Sequence, residues 1–273
     1  MKITASDVNK LRQSTGAGMM DCKKALEESN GDFDKAIEIL RKKGQKVAAN
    51  RADRESSEGV VLAKVNSDST SGVIISLNCE TDFVAKNDDY IQLAQKLADH
   101  AINFTDKDSF LGSDFDGMKV SEKLLEQTGV IGEKIEIGSF EHISASFVGS
   151  YIHAGNKIAS IVGLSEKFDN AGNAGKDLSM QIAAMNPVAI DENGVSQDVI
   201  AKEIEIAKDQ LRQEGKPEEM LENIAKGKLK KFFKENTLIN QQFIKDSKLS
   251  ISQYLKSFSD SVEVTDFSRV GLV

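Results

Sequence analysis

Apolar positions in the first 44 residues recur at the spacing of short helices that are separated by turn residues. A first helix, capped by a Ser or Thr, is predicted to end at Thr15, just before a glycine. A second is predicted over 19–29 and a third over 32–44. The pattern therefore predicts a three-helix module over residues 1–44 that is similar to ubiquitin-associated bundles.

After a charged stretch, the apolar pattern changes from helical spacing to the β-branched runs that are typical of strands. Residues 45–57 hold few large apolar side chains and are predicted to be a linker that is partly helical. The β-branched runs 59–65 and 72–77 flank a polar, turn-rich gap and predict a β-hairpin. Helical spacing over 88–102 predicts a helix that covers one face of this hairpin.

The polar segment that follows is predicted to contain little regular structure. Residues 105–117 carry several Asp residues without the order of a calcium loop, so they are interpreted as a solvated connection. A helix is predicted around 120–127 and a strand at 134–137. These elements complete a first α+β core subdomain over residues 58–140.

The order of hairpin, loop and helix occurs a second time about ninety residues later. Strands are predicted at 147–153 and 157–164, and a helix at 178–185 that ends at an Asn-Pro pair. This repetition predicts two related antiparallel-sheet-plus-helix halves. The second half is predicted to comprise residues 141–190 and, after an insertion, residues 237–273.

The predicted insertion is a pair of long amphipathic helices over residues 191–236. Apolar stripes over 196–214 and 218–234 flank a Gly-Lys-Pro turn and predict an antiparallel helical hairpin. Such a hairpin has little interior of its own, so it is expected to contact a partner or a second copy of the chain. A short helix at 250–257 and a strand at 262–270 are predicted to complete the second sheet. The fold class is α+β.

Composition and charge narrow the function classes. The chain has 273 residues and a net charge of -8, which argues against direct nucleic-acid binding because such proteins carry a basic surface. It lacks an apolar run of about 18 residues and an apolar signal segment, so we expect a cytoplasmic protein with no membrane contact. Cys22 and Cys79 are too far apart for a metal-binding pair and are expected to be buried.

The sequence offers little support for a metal site or a nucleotide site. The histidines His100, His142 and His153 lack the spacing of metal ligands. The segment 170–177 resembles a phosphate loop only superficially, because an Asp follows its Lys where magnesium needs Ser or Thr. We therefore expect no metal and no cofactor.

The stretch 78–86, Asn-Cys-Glu-Thr-Asp-Phe-Val-Ala-Lys, connects the predicted hairpin to the predicted helix. An acid followed by a large aromatic residue on such a connection forms a compact probe, with Asp82 beside Phe83. The residue types by themselves favour a structural role, in which Phe83 covers the local core and Asp82 or Asn87 caps the next helix. Glu80, Asp82 and His153 are the only candidates for acid–base catalysis and no motif supports them, so no catalytic residue is expected.

Two motifs carry a resemblance to a known family. Residues 81–85, Thr-Asp-Phe-Val-Ala, resemble a signature of the bacterial elongation factor Ts family, the guanine-nucleotide exchange factors of elongation factor Tu. The run 11–26 is similar to the second signature of that family. The order and separation of the two motifs also match, and the resemblance extends through most of the chain. Many family members continue into a further C-terminal helix, and its absence here leads us to expect one partner contact fewer.

The resemblance implies function and site residues. It implies that the chain binds elongation factor Tu and promotes GDP release, with the Asp-Phe pair intruding near the magnesium site of the GTPase. The partner-binding residues that it implies are Thr81, Asp82, Phe83, Val84, Arg12, Met19, Met20 and His153. Because Met19 and Met20 are adjacent on a helix, one is expected to be buried and the other exposed. The alternative hypothesis is a binding scaffold whose N-terminal module captures a partner and whose Phe83 has no role.

Overall fold

Three helices form the N-terminal part of the chain. A computed structural model describes residues 3–272. The helices are α1 (Ala5–Thr15), α2 (Met19–Glu28) and α3 (Phe33–Asn50). The Thr4 side chain caps α1 and Gly16 ends it in the left-handed conformation, as the sequence predicts. Small and aliphatic side chains, among them Leu11, Cys22 and Leu26, form a buried core of their own between the helices.

The next part of the chain forms a three-stranded antiparallel sheet with helices on its outer face. In chain order its elements are β1 (Glu58–Val65), β2 (Ser71–Cys79), α4 (Asp82–Ala85), α5 (Asp88–Ala101), α6 (Lys107–Gly112), β3 (Asp114–Phe115), β4 (Met118–Lys119), α7 (Val120–Ile131) and β5 (Glu136–Ser144). The strand order is β1-β2-β5. The predicted hairpin and the helix that covers it are therefore present.

A second three-stranded antiparallel sheet follows, interrupted by two long helices. Its part of the chain contains β6 (Phe147–Ile152), β7 (Ile158–Leu164), α8 (Ala171–Met185), α9 (Gln197–Gln213), α10 (Glu218–Asn236), β8 (Gln242–Phe243), β9 (Asp246–Ser250), α11 (Ile251–Lys256) and β10 (Val264–Gly271). The strand order is β10-β7-β6, so the last strand returns to this sheet as predicted. The helices α9 and α10 pack against each other as the predicted antiparallel hairpin.

The two sheets pack face to face. Val61, Ile74 and Ile143 from the first sheet meet Val148 and Ile161 from the second in a buried aliphatic layer. The other face of the first sheet is covered by α5 and α7, and that of the second by α8 and α11. The chain is thus an α+β protein with two central sheets and helices outside. None of the helices between residues 3 and 272 has the length and apolarity needed to cross a bilayer.

The third helix is longer than predicted. It continues through Gly44 to Asn50 and so includes the start of the predicted linker 45–57. Gly44 does not end the helix because its missing side chain serves packing: it is buried against Gly129 of α7. The prediction treated this glycine as a helix terminator, whereas the structure uses it to bring two helices close together.

Two other predicted loops contain regular structure. The segment 105–117 is not a solvated connection: Asp106 caps α6, and Phe110 on that helix is fully buried. The helix predicted at 178–185 begins at Ala171, so the Gly/Asn-rich segment is its first half.

The helix predicted at 120–127 continues to Ile131. The strand predicted at 134–137 continues to Ser144 and runs across the predicted subdomain boundary at residue 140.

Gly175 brings the first half of α8 into close contact with the second sheet. A Cβ atom on Gly149 of β6 would lie 2.5 Å from the backbone of Gly175, so helix and sheet meet through two glycines. We expect Gly149→Ala to lower the free energy of unfolding by about 1–3 kcal/mol, the usual cost of overpacking. Gly172→Ala on the same helix is the matched control, because its Cβ would meet nothing within 4 Å. Urea unfolding of the two variants measures the difference; equal midpoints would contradict the close approach.

Candidate functional site

Phe83 lies on α4, a single helical turn between β2 and α5. Its side chain is 83% exposed, which excludes the structural role in which it covers the local core. Val84 and Ala85 turn inward instead and contact the core of the first sheet. The Asn87 side chain accepts hydrogen bonds from the backbone of Asp89 and Tyr90 and so caps α5. The chain therefore anchors both sides of Phe83 and leaves its ring in solvent.

Glu133 holds the residues that lead into α4. One of its carboxylate oxygens accepts the backbone N–H groups of Glu80, at 3.1 Å, and Thr81, at 3.0 Å. The other accepts the Thr81 hydroxyl at 2.7 Å. Glu133 directly follows Gly132, whose left-handed backbone ends α7. A single carboxylate from the end of α7 thus fixes the turn from which Phe83 projects.

Glu80 links the same turn to the N-terminal helices. Its carboxylate oxygens lie 2.8 and 2.7 Å from the Arg51 guanidinium, and one accepts the Lys134 backbone N–H at 2.7 Å. Burial raises the pKa of Glu80, but the hydrogen bonds from Lys134 and Arg51 outweigh it and leave the pKa below its ordinary value. Glu80 is therefore an ionised structural partner, whereas a general acid would need a raised pKa.

Asp82 stands on the exposed side of α4. Its carboxylate is 2.7 Å from the Lys86 ammonium one turn later. The hydrogen bond from Lys86 lowers the pKa of Asp82, and the charge of Lys157 contributes in the same direction. Asp82 is therefore ionised at neutral pH and places a negative charge next to the exposed ring of Phe83.

The residues beneath α4 are structural. The Cys79 thiol donates to the Thr81 carbonyl at 3.2 Å, and the Tyr90 hydroxyl donates to the Leu77 carbonyl at 2.7 Å. Burial raises the pKa of both Cys79 and Tyr90, so both stay neutral at physiological pH. Cys79 is thus the small buried residue that the sequence predicts, as is Cys22.

His153 lies at the turn between β6 and β7, and it is exposed. Its Nδ1 atom is 3.1 Å from the Tyr151 hydroxyl. The turn is attached to the start of β1, because Lys157 pairs with Glu58 and the Asn156 carbonyl accepts the backbone N–H of a β1 residue. Since Glu58 is paired in register with the last residue of β2, the turn lies on the side of the sheet from which α4 begins.

The predicted contact residues of the N-terminal module are all exposed. Met19 and Met20 are 56% and 62% exposed, so the prediction that one of them is buried is wrong. They stand in the first turn of α2, where the helix has not yet reached the core at Cys22. Together with Val8 and other residues of α1 they line an open, mostly apolar groove of about 520 Å³. Arg12 is exposed on α1.

The remaining candidates from the sequence have structural roles. His100 lies 2.8 Å from the Ser113 hydroxyl, and His142 lies 2.8 Å from the Ser71 hydroxyl. In the segment 170–177, Asn170 is the residue before α8 and residues 171–177 form the first turns of that helix. Within residues 3–272 no group of three or more His, Cys, Asp or Glu side chains is placed to hold a metal ion.

Two residues of the site were missed from the sequence. Arg51 falls in the predicted linker and Glu133 in a gap between two predicted elements. Each acts on the turn before α4 across a long stretch of chain, 29 residues for Arg51–Glu80 and 52 for Glu133–Thr81. A charged residue directly after the glycine that ends a helix was the only local signal for Glu133.

Comparison with known proteins gives one consistent result. The sequence model of the family described as Elongation factor TS matches residues 80–272. The chain is 65% identical to elongation factor Ts of Christiangramia forsetii over 271 residues, 99% of each chain. It is 62% identical to that of Flavobacterium psychrophilum over 270 residues, 99% of this chain and 98% of the relative. It is 47% identical to that of Porphyromonas gingivalis over 275 residues, 100% of this chain and 99% of the relative.

Proposed function

The chain belongs to the elongation factor Ts family, and we propose that it is a guanine-nucleotide exchange factor for elongation factor Tu. It binds the GDP-loaded GTPase in the cytoplasm, promotes release of GDP and leaves the site open for GTP. The observation that supports this role best is Phe83, a large apolar side chain held in solvent on a helical turn whose base is fixed by Glu133.

The mechanism is thermodynamic linkage. When an exchange factor binds the nucleotide-free GTPase many times more tightly than the loaded GTPase, its binding weakens nucleotide binding by the same ratio of affinities. No covalent step, catalytic residue or cofactor of this chain is needed. In our proposal residues 81–83, with Val84 packed beneath them and Asp82 and Phe83 at the tip, enter the GTPase beside the magnesium ion. A magnesium ion in such a site would contact the phosphate end of the nucleotide, so displacing the GTPase groups that hold the ion would loosen GDP.

Phe83 alone cannot supply the free energy of exchange. Burial of one Phe side chain contributes roughly 1.5–3 kcal/mol, which is less than the phosphate and metal contacts of a bound nucleotide. The rest must come from further contacts with the GTPase. We assign these to Arg12, Met19 and Met20 on the N-terminal helices and to His153 at the turn beside β1.

The test is the release of a fluorescent GDP analogue from elongation factor Tu with excess unlabelled GDP. We expect release to accelerate as the factor is added, with a rate that saturates at high factor concentration. A well-folded factor that binds the GTPase and leaves the release rate unchanged would support the scaffold alternative, in which the groove beside Met19 and Met20 captures the partner. That result would overturn the exchange proposal.

A charge substitution tests the role of Asp82. Asp82→Asn keeps the shape of the side chain and removes its charge, and we expect release to slow by about tenfold, the effect of one lost charge-assisted contact. Lys86→Gln is the control, because it removes the partner of Asp82 in the free protein and leaves the carboxylate in place. We expect Lys86→Gln to stay within about twofold of the parent. Equal losses in both variants would assign the effect to the ion pair.

We also propose a role for the hairpin of α9 and α10. Its outer surface exposes apolar side chains, including Val199, Ile206 and Met220. A homodimer formed through this hairpin is our proposal for their use. Sedimentation of the purified chain over a range of concentrations tests it, and a monomer at all concentrations would exclude it.

A further inference from the structure

The N-terminal helices are attached to the rest of the chain by a close helix crossing. A Cβ atom on Gly129 of α7 would overlap the Cα atom of Gly44 on α3, and Gly44 is buried in the contact. Two glycines facing each other allow the helix backbones to touch. Side chains of both elements, such as Ile37 and Val130, line the narrow cleft beside this crossing.

The segment after α3, residues 51–57, is held along the core and we call it the strap. Arg51 at its start pairs with Glu80, directly before the turn that carries Phe83. Further along, the Lys134 ammonium binds the Arg54 carbonyl at 3.2 Å, and the Ser56 carbonyl accepts the Asn78 side-chain amide at 2.8 Å. The sequence predicts a linker here, yet the strap contacts the core at both ends and between them.

We propose that the Gly44–Gly129 contact and the Arg51–Glu80 pair are positioning contacts for exchange. They hold the apolar groove beside Met19 and Met20 at a fixed distance and orientation from Phe83, so that the two surfaces bind the GTPase as one preorganised ligand. This inference rests on the proposed function and adds to it, because Gly129 and Arg51 act through the groove and Phe83 without touching the partner.

The physical reason is effective concentration. When one surface of a two-part ligand has bound, the second binds at a local concentration set by the connection between them. A fixed connection of the right geometry gives a higher local concentration than a flexible one, and less freedom is lost on binding. Releasing the N-terminal helices should therefore weaken binding while Phe83, once engaged, still opens the nucleotide site.

Two variants release the N-terminal helices without damaging them. Gly129→Ala forces the crossing apart and at the same time favours the helical state of α7. Arg51→Ala removes the pair with Glu80, and Arg51→Lys keeps the charge but replaces the planar guanidinium, whose Nη1 contacts both Glu80 oxygens, with a compact ammonium. Gly227→Ala in α10 is the matched control, because a Cβ there would meet nothing within 4 Å.

The readout separates KM from kcat in factor-dependent GDP release. With catalytic amounts of the factor and varied elongation factor Tu·GDP, we expect Gly129→Ala and Arg51→Ala to raise the KM for the loaded GTPase by about tenfold, and kcat to stay within about twofold. Arg51→Lys should fall between Arg51→Ala and the parent, and Gly227→Ala should match the parent. A purely structural role for these residues would lower the amount of folded factor, which circular dichroism measures, and would not produce this split.

Spin labels show whether the helices are released. Labels on Lys24→Cys in α2 and Glu141→Cys in β5 attach to exposed positions, whereas the native Cys22 and Cys79 are buried. We expect a narrow distance distribution in the parent and a broad one in Gly129→Ala. A distance distribution that stays narrow in Gly129→Ala and in Arg51→Ala would overturn the assignment of these contacts. A broad distribution with an unchanged KM would overturn their role in exchange. A parent that does not accelerate GDP release would instead reject the proposed function.

Discussion

Phe83→Ala is expected to slow factor-dependent GDP release by about tenfold to a hundredfold. This range follows from the roughly 1.5–3 kcal/mol gained when a Phe side chain is buried, since each 1.36 kcal/mol changes a rate about tenfold. The ring is 83% exposed in the free chain, so removing it creates no cavity there. The free energy of unfolding should stay within about 0.5 kcal/mol of the parent, as for other surface substitutions.

Ile244→Ala is the matched control for Phe83→Ala. Ile244 is another exposed large apolar side chain, and it lies in the hairpin of β8 and β9, part of the second half of the chain. We expect Ile244→Ala to leave both the rate of GDP release and the free energy of unfolding unchanged. If both substitutions slowed release equally, a general loss of surface apolarity would explain the effect. If Phe83→Ala lowered the melting temperature and left release intact, Phe83 would have a structural role and the probe would lie elsewhere.

Much of this fold could be predicted because its signals are local. Alternating β-branched residues locate β1, β2, β6 and β7, and helical spacing locates α5, α9 and α10. Side chains that bind the neighbouring backbone locate helix starts: Thr4 at α1 and Asn87 at α5. These features depend on residues within a few positions of each other, which a single sequence displays.

Two of the wrong predictions have a common physical cause. Gly44 was interpreted as the end of a helix and the segment around Gly175 as a loop, because glycine often marks both. In the structure each faces another glycine on a distant element, Gly129 and Gly149 respectively. The missing side chain is used for close approach between elements, and only the tertiary structure shows which partner is approached.

At the turn that carries Phe83, the sequence pointed to the residues of the turn itself and not to the residues that hold it. Asp82 and Phe83 could be singled out because residues 81–85 resemble a signature of the elongation factor Ts family, whereas their residue types alone also fit a structural role. Glu133 and Arg51 could not, because charged residues are common at surfaces and their partners lie far away in the sequence. The sequence thus drew attention to Asp82 and Phe83 through a family signature, and the structure shows that Phe83 is exposed and which residues hold its turn.

Glu133→Ala is expected to impair exchange while leaving most of the surface intact. The substitution removes the acceptor for two backbone N–H groups and for the Thr81 hydroxyl. We expect the free energy of unfolding to fall by about 1–3 kcal/mol, the cost of leaving such groups without a partner. Phe83 would then project from a mobile turn, and we expect kcat for GDP release to fall by about tenfold because ordering that turn costs free energy.

Glu133→Gln distinguishes positioning from charge. Its amide oxygen can accept the two N–H groups of Glu80 and Thr81, and its NH2 group can donate to the Thr81 hydroxyl. We therefore expect Glu133→Gln to recover most of the exchange rate that Glu133→Ala loses. Equal impairment in the two variants would show that the negative charge of Glu133 matters, and full activity in both would exclude Glu133 from positioning Phe83. A fall in kcat here, against a rise in KM for Gly129→Ala, would separate the residues that orient Phe83 from those that orient the N-terminal helices.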